Sequence, residues 1–148
     1  MKRTQDIVIG DYTIQNELIT PEKRQRMVKM MLDIHEQKEY RPLAAFIAVS
    51  IADRYLRVLD EAEYPNLSVL AVISVLLSAK LEQHIKPNFK RMVNMLESGK
   101  NKMITKSNLI SLENQILSKL QFDLQWAGPL PFMERYLRLL KVHNFERI

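Results

Sequence analysis

Leu43-Ala44-Ala45-Phe46-Ile47-Ala48-Val49-Ser50-Ile51-Ala52-Asp53-Arg54-Tyr55-Leu56-Arg57-Val58-Leu59 decides the fold. The run is too long for an ordinary strand, and its apolar side chains recur at helical spacing on several faces at once. A helix that is apolar all round is surrounded by other helices, and its alanines allow those neighbours to approach closely. Arg41-Pro42 opens it, since proline is tolerated at a first helical position. One feature breaks the pattern. Asp53-Arg54 puts charge where burial makes charge expensive.

Upstream, Thr20-Pro21 marks another helix start, with the Thr hydroxyl able to cap free amides. Met27, Met30, Met31 and Ile34 follow at i, i+3, i+4 and i+7, one apolar stripe that reads as core or interface and not as a ligand box. Downstream, Asp60 to Pro65 is a polar connection, Asn66 is a cap, and Leu67 to Lys80 is a third helix, uncharged until its last turn. Lys86-Pro87 opens a short fourth helix with Phe89, Met92, Val93 and Leu96 facing inward, ended by Ser98-Gly99-Lys100-Asn101. A fifth spans about 107–120, with Leu109, Leu112, Ile116 and Leu120 on one stripe. Gln121 to Gly128 connects it to a last helix over 129–141, carrying Phe132, Met133, Tyr136, Leu137 and Leu140. The expected architecture is all-α: an arm over 1–19, five tightly connected helices over 20–127, and a trailing helix over 128–148.

Composition agrees and narrows the function. The 148 residues are the usual length of one domain, and 3 glycines disfavour glycine-loop nucleotide folds and many-turned β sandwiches. The chain has no Cys, which removes disulfides, thiolate metal sites and a cysteine nucleophile. His35, His84 and His143 lie too far apart in sequence for helical zinc spacing, and no nucleophile elbow surrounds any Ser. No catalytic residue, metal or cofactor is expected, and the chain does not read as an enzyme. The +5 formal charge is concentrated over 85–119, where Lys86, Lys90, Arg91, Lys100, Lys102, Lys106 and Lys119 face only Glu97 and Glu113. With Phe89 its one aromatic, that stretch lacks the stacking pattern of a nucleic-acid binder. The longest uncharged segment, Tyr64 to Ala79, contains Pro65 and falls short of the ~20 residues of a membrane span. A soluble, intracellular protein is expected, in the nucleus or the cytoplasm.

Four segments, in order, resemble the cyclin box. Ile19-Thr20 followed by Arg24 resembles the start of that family's first helix. Ala48-Val49-Ser50-Ile51-Ala52-Asp53-Arg54-Tyr55-Leu56 is similar to its second-helix motif, L-A-V-x-x-x-D-R-F/Y-L. Leu76-Leu77-Ser78-Ala79-Lys80-Leu81-Glu82 resembles L-L-A-S-K-x-E on the third. Leu112-Glu113 with Ile116-Leu117, then Phe122-Asp123-Leu124 and Pro129-Leu130, is similar to M-E-x-x-I/L-L, F-D-L and P-L. The likeness extends from about residue 18 to residue 140.

The resemblance implies a five-helix cyclin box and a regulatory subunit that binds and activates a cyclin-dependent protein kinase. In that family the cyclin performs no chemistry. It holds the αC helix region of the kinase so that the kinase Lys–Glu pair and activation loop are placed for phosphoryl transfer. Arg24 and Asp53 would form the structural ion pair between the first two helices, with Arg54 the nearby alternative partner. Lys80 and Glu113, with Glu82, would form the kinase contact; otherwise Lys80 closes a helix and Glu113 is a solvated side chain. The departures lie elsewhere. The family's substrate-docking groove carries a Met one residue before the helix-one Arg and a Trp six residues after it, where this chain has Lys23 and Met30. One box is visible where cell-cycle cyclins carry two. A cyclin-fold adaptor within a larger assembly, acting without kinase activation, is the competing expectation.

Overall fold

The structure is a computed structural model, and it describes residues 19–60, 63–82, 106–125 and 128–140. Five helices lie within them: α1 (Pro21–Gln37), α2 (Pro42–Arg57), α3 (Leu67–Glu82), α4 (Lys106–Lys119) and α5 (Leu130–Leu139). The chain is all-α among these residues. The helix expected over 87–96 and nearly all of the arm lie outside them, so α4 is the helix the sequence places fifth. Both prolines act as expected, since Pro21 and Pro42 sit at the first positions of α1 and α2.

The hub is α3, which packs on α1, α2 and α4. Every residue from Val69 to Ala79 is buried, which follows from a segment with no charge on any face before its last turn. Each Leu or Ile buried in this way contributes about 1.5–3 kcal/mol of transfer free energy. The helix runs two residues past Lys80, which lies in its last turn. Around α3, Met27, Met31 and Ile34 come from α1, Ala48, Ile51, Ala52, Tyr55 and Leu56 from α2, and Leu109, Leu112 and Ile116 from α4. Ile19, which composition assigns to the arm, is buried in the same core.

Two expectations change. The second helix is not enclosed on all sides: Phe46 stands half-exposed and faces, with Leu32 of α1, an apolar groove between the two helices. The trailing helix begins at Leu130 and buries none of its residues among those described; Phe132, Met133, Tyr136, Leu139 and Leu140 are exposed.

The ends of α1 and α4 explain how the helices turn with so little glycine. After α1, the Glu39 amide donates to the Glu36 carbonyl and the Tyr40 amide to that of His35. After α4, the Gln121 amide donates to the Ser118 carbonyl and the Phe122 amide to that of Leu117. Both pairs are the Schellman arrangement, which needs a left-handed residue just past the helix. Glu39 (φ 51°) and Gln121 (φ 52°) supply it, and Phe122 (φ 58°) extends the left-handed backbone by one more residue.

Candidate partner-binding site

The charged pair inside α2 has its partner. Arg24 of α1 donates from Nε to Asp53 Oδ1 at 2.9 Å and from Nη2 to Oδ2 at 2.6 Å, a two-point fork. Asp53 is 4% exposed, whereas the Arg24 side chain keeps 35% of its surface in solvent. The pair ties α1 to α2 beside the core. The carboxylate is buried and its oxygens accept from the guanidinium, the arrangement of a structural pair.

Arg54 points the other way. Its guanidinium lies 3.6 Å from Asp123 Oδ2 and donates to the Gln125 carbonyl at 3.3 Å, so α2 reaches the segment that follows α4. Asp123 in turn accepts from the Gln125 amide at 3.2 Å.

Lys80 and Glu113 meet across α3 and α4. Lys80 Nζ pairs with Glu113 Oε1, although the residues are 33 positions apart in sequence. The Glu113 side chain is mostly covered and the Lys80 side chain is about half exposed. Only the packing of α4 on the end of α3 brings them together. Glu82 lies one half-turn beyond Lys80 and lines a different part of the same surface.

From the residues that follow Lys80, the structure also builds an apolar feature that charge-centred reading passes over. A cleft of about 440 Å³ is lined by Leu81 and Glu82 from α3, Leu43 and Ile47 from α2, and Phe122 and Leu124 from the turn after α4, with Gln125 and Pro131 at its edge. Leu81 is half exposed, and Phe122 exposes 73% of its surface. An exposed Leu and Phe lining one cleft are the kind of apolar anchors that interface centres carry. The signal available in sequence was Phe122-Asp123-Leu124, whose exposure cannot be read before the Schellman turn is known. The arrangement can grip an amphipathic helix or loop; it holds no nucleophile–base pair.

A second, polar cleft of about 720 Å³ lies on another side of α4, between Tyr55, Glu63, Ser111, Asn114, Gln115 and Lys119. Lys119 Nζ bonds Glu63 Oε2 at 2.9 Å, and this carboxylate holds the ammonium pKa above its ordinary value. Burial raises that of the Tyr55 phenol, whose hydroxyl lies 3.5 Å from Gln115 Oε1. Among the described residues no three His, Asp or Glu side chains are grouped to hold a metal ion, and no helix is long and apolar enough to cross a membrane. Most of the basic stretch over 85–119 falls outside the described residues.

Known proteins match this sequence over most of its length. The family described as "Cyclin, N-terminal domain" matches residues 2–125, beginning well before the boundary expected at residue 20. The chain is 26% identical over 125 residues to G2/mitotic-specific cyclin-4 of Saccharomyces cerevisiae, covering 84% of this chain and 26% of that protein. It is 29% identical over 131 residues to G2/mitotic-specific cyclin-B of Dictyostelium discoideum, covering 88% of this chain and 29% of the relative. Cyclin-B2-2 of Arabidopsis thaliana is 25% identical over 128 residues, 86% of this chain and 29% of its own length. The chain therefore spans between a quarter and a third of these relatives.

Proposed function

Because this chain belongs to the cyclin family, by its N-terminal domain, we propose that it is a regulatory subunit that binds a cyclin-dependent protein kinase and activates it. The observations that carry the proposal are the Lys80–Glu113 pair and the cleft of Leu81, Phe122 and Leu124, joined in sequence where Leu81 follows Lys80 on α3. A charged pair alone at a surface is worth little, but next to apolar anchors it becomes desolvated when a partner closes over it. The αC helix region of the kinase is the occupant we assign to this face. Glu82, at the end of α3, would contribute from the rim. Activation would follow from holding that helix so that the kinase's own Lys–Glu pair and activation loop are in place, with no bond made or broken by this chain. The domain division at residues 20 and 127 belongs to the same proposal.

The test exploits the internal pairing. Exchanging the two charges, Lys80→Glu together with Glu113→Lys, keeps an ion pair within the chain and reverses the polarity offered outward. The thermal midpoint should fall only modestly, since each reversed charge keeps a partner although position 113 is mostly covered. Affinity for a cyclin-dependent kinase, measured by surface plasmon resonance, should fall at least tenfold, because interfacial charge pairs typically cost ~2–5 kcal/mol when broken. Undiminished affinity in a folded double variant would exclude this face.

The second reading, a cyclin-fold adaptor without activation, is favoured by Lys23 and Met30 where family members that recruit substrates carry Met and Trp. A kinase assay separates the two: binding without stimulated phosphoryl transfer supports the adaptor.

A further inference from the structure

The turn that presents Phe122 is held from α2 as well as from α4. We propose that Arg54 is a positioning residue for the partner-binding cleft, keeping the segment 120–125 in the one conformation that makes Phe122 and Leu124 a wall of it. The inference rests on the reading of that cleft as the kinase-binding face.

The argument is local. Gln121 and Phe122 are consecutive non-glycine residues in the left-handed region, a state that persists only where the surroundings over-determine it. The Schellman bonds fix the turn at the α4 end, where the Phe122 amide donates to Leu117 at 2.8 Å and the Asp123 amide to Leu120 at 2.9 Å. Nothing in those bonds fixes the far end, where Leu124 must lie along the cleft. Arg54 does so through two contacts, one to the Asp123 carboxylate and one to the Gln125 carbonyl. The planar guanidinium offers a separate nitrogen to each, Nη2 to the carboxylate and Nη1 to the carbonyl, in one fixed fork. The clamp and the cleft also share a scaffold. Leu43 and Ile47, which line the cleft, sit on the same helix as Arg54, so α2 sets the floor and the wall together.

The experiment uses the full 148-residue chain and a purified cyclin-dependent kinase catalytic subunit as probe. In Arg54→Ala, hydrogen exchange of the Phe122, Asp123 and Gln125 amides should rise at least tenfold while that of the α3 amides is unchanged. Kinase affinity should fall about tenfold, as in Phe122→Ala. Combining the two substitutions should weaken binding by less than a further factor of two, because both act through one wall; independent contributions would multiply. Arg54→Lys should recover part of the loss. Asp123→Asn, which keeps the oxygen that caps Gln125 but removes the charge facing Arg54, tests the clamp from its other end should Arg54→Ala fail to fold. Unchanged exchange in the turn overturns the proposal. So do multiplicative losses in the double variant. Raised exchange with full affinity, while the Lys80/Glu113 reversal still weakens binding, overturns it and leaves the kinase reading standing. Full affinity in every variant, that reversal included, overturns both.

Discussion

Asp53 and Arg24 share one ion pair on unequal terms, and the inequality sets which of them the fold can lose. Sequence alone makes Asp53 a buried carboxylate in need of a partner. The structure shifts the weight: the Arg24 side chain is about one-third exposed, so water can resolvate it when Asp53 is gone. The carboxylate has no such relief. Arg24→Ala should therefore destabilise more than Asp53→Ala, by about 3–5 kcal/mol at the upper end for a carboxylate left at a buried site against roughly 1–2 for an exposed cation losing its partner. Chemical denaturation of both variants checks this, and the reverse order would mean that Arg24 is the buried partner. At the start of α1, Glu22 behaves differently. Its carboxyl pKa is held below the ordinary 4.5, first by a bond from its own backbone amide and then by the Thr20 hydroxyl. A lowered folded pKa gives stability that is complete above the unfolded value and lost as pH falls through the folded one. A carbon-detected NMR titration should place the Glu22 midpoint below 4.5, with the first turn loosening as pH falls through it; a midpoint at or above 4.5 would mean that these bonds do not hold the carboxylate.

Helix ends are where the sequence was least legible, and the reason is specific. Starts were readable because Thr20-Pro21, Arg41-Pro42 and Asn66 carry their chemistry in the side chain: the Lys23 amide reaches Thr20 Oγ1 at 3.4 Å and the Ser68 amide Asn66 Oδ1 at 2.9 Å. Stops were not, because the usual sign is a glycine, and the left-handed positions here are Glu39 and Gln121. Nothing in either side chain announces that conformation. At Glu39 the motif comes with a packed contact, since His35 and Tyr40 meet edge to face with ring centroids 6.3 Å apart. Gln121 has Phe122 in the same backbone region behind it, which makes α4's end the more strained of the two. Left-handed backbone costs a non-glycine residue about 1–2 kcal/mol, partly offset in a glycine variant by the greater entropy of its unfolded chain. Gln121→Gly should thus stabilise the protein by up to about 1 kcal/mol, read as a rise in thermal midpoint. A clear loss of stability would show that the Gln side chain itself holds the turn.

At the scale of the whole molecule, what the sequence showed and what it hid divide by how far apart the cooperating residues lie. The core was legible because burial is written locally: the uncharged stretch of α3 became the hub, and the stripes of α1 and α4 turned toward it. The charged half of the candidate site was legible only through resemblance, because no local rule pairs residues 33 apart. Its apolar half was hidden, since Leu43, Leu81 and Phe122 come from three elements whose meeting is a property of the fold. The same logic extends to the other surface on which cyclins act, the groove that takes Arg-x-Leu peptides of substrates. Here it can be argued from α1 directly. Lys23 is exposed at its first turn, and Met30 is partly buried against the core, leaving less apolar surface than Met and Trp would offer. A peptide arginine would approach a lysine there, and like charges at an interface disfavour association. Arg-x-Leu peptides should therefore bind at least tenfold more weakly to the native chain than to the double variant Lys23→Met with Met30→Trp, measured by calorimetry at low salt. Raising the ionic strength should narrow the gap, because screening removes the repulsive part and leaves the apolar part. Equal affinity for both proteins would mean that Lys23 and Met30 do not set the binding of such peptides.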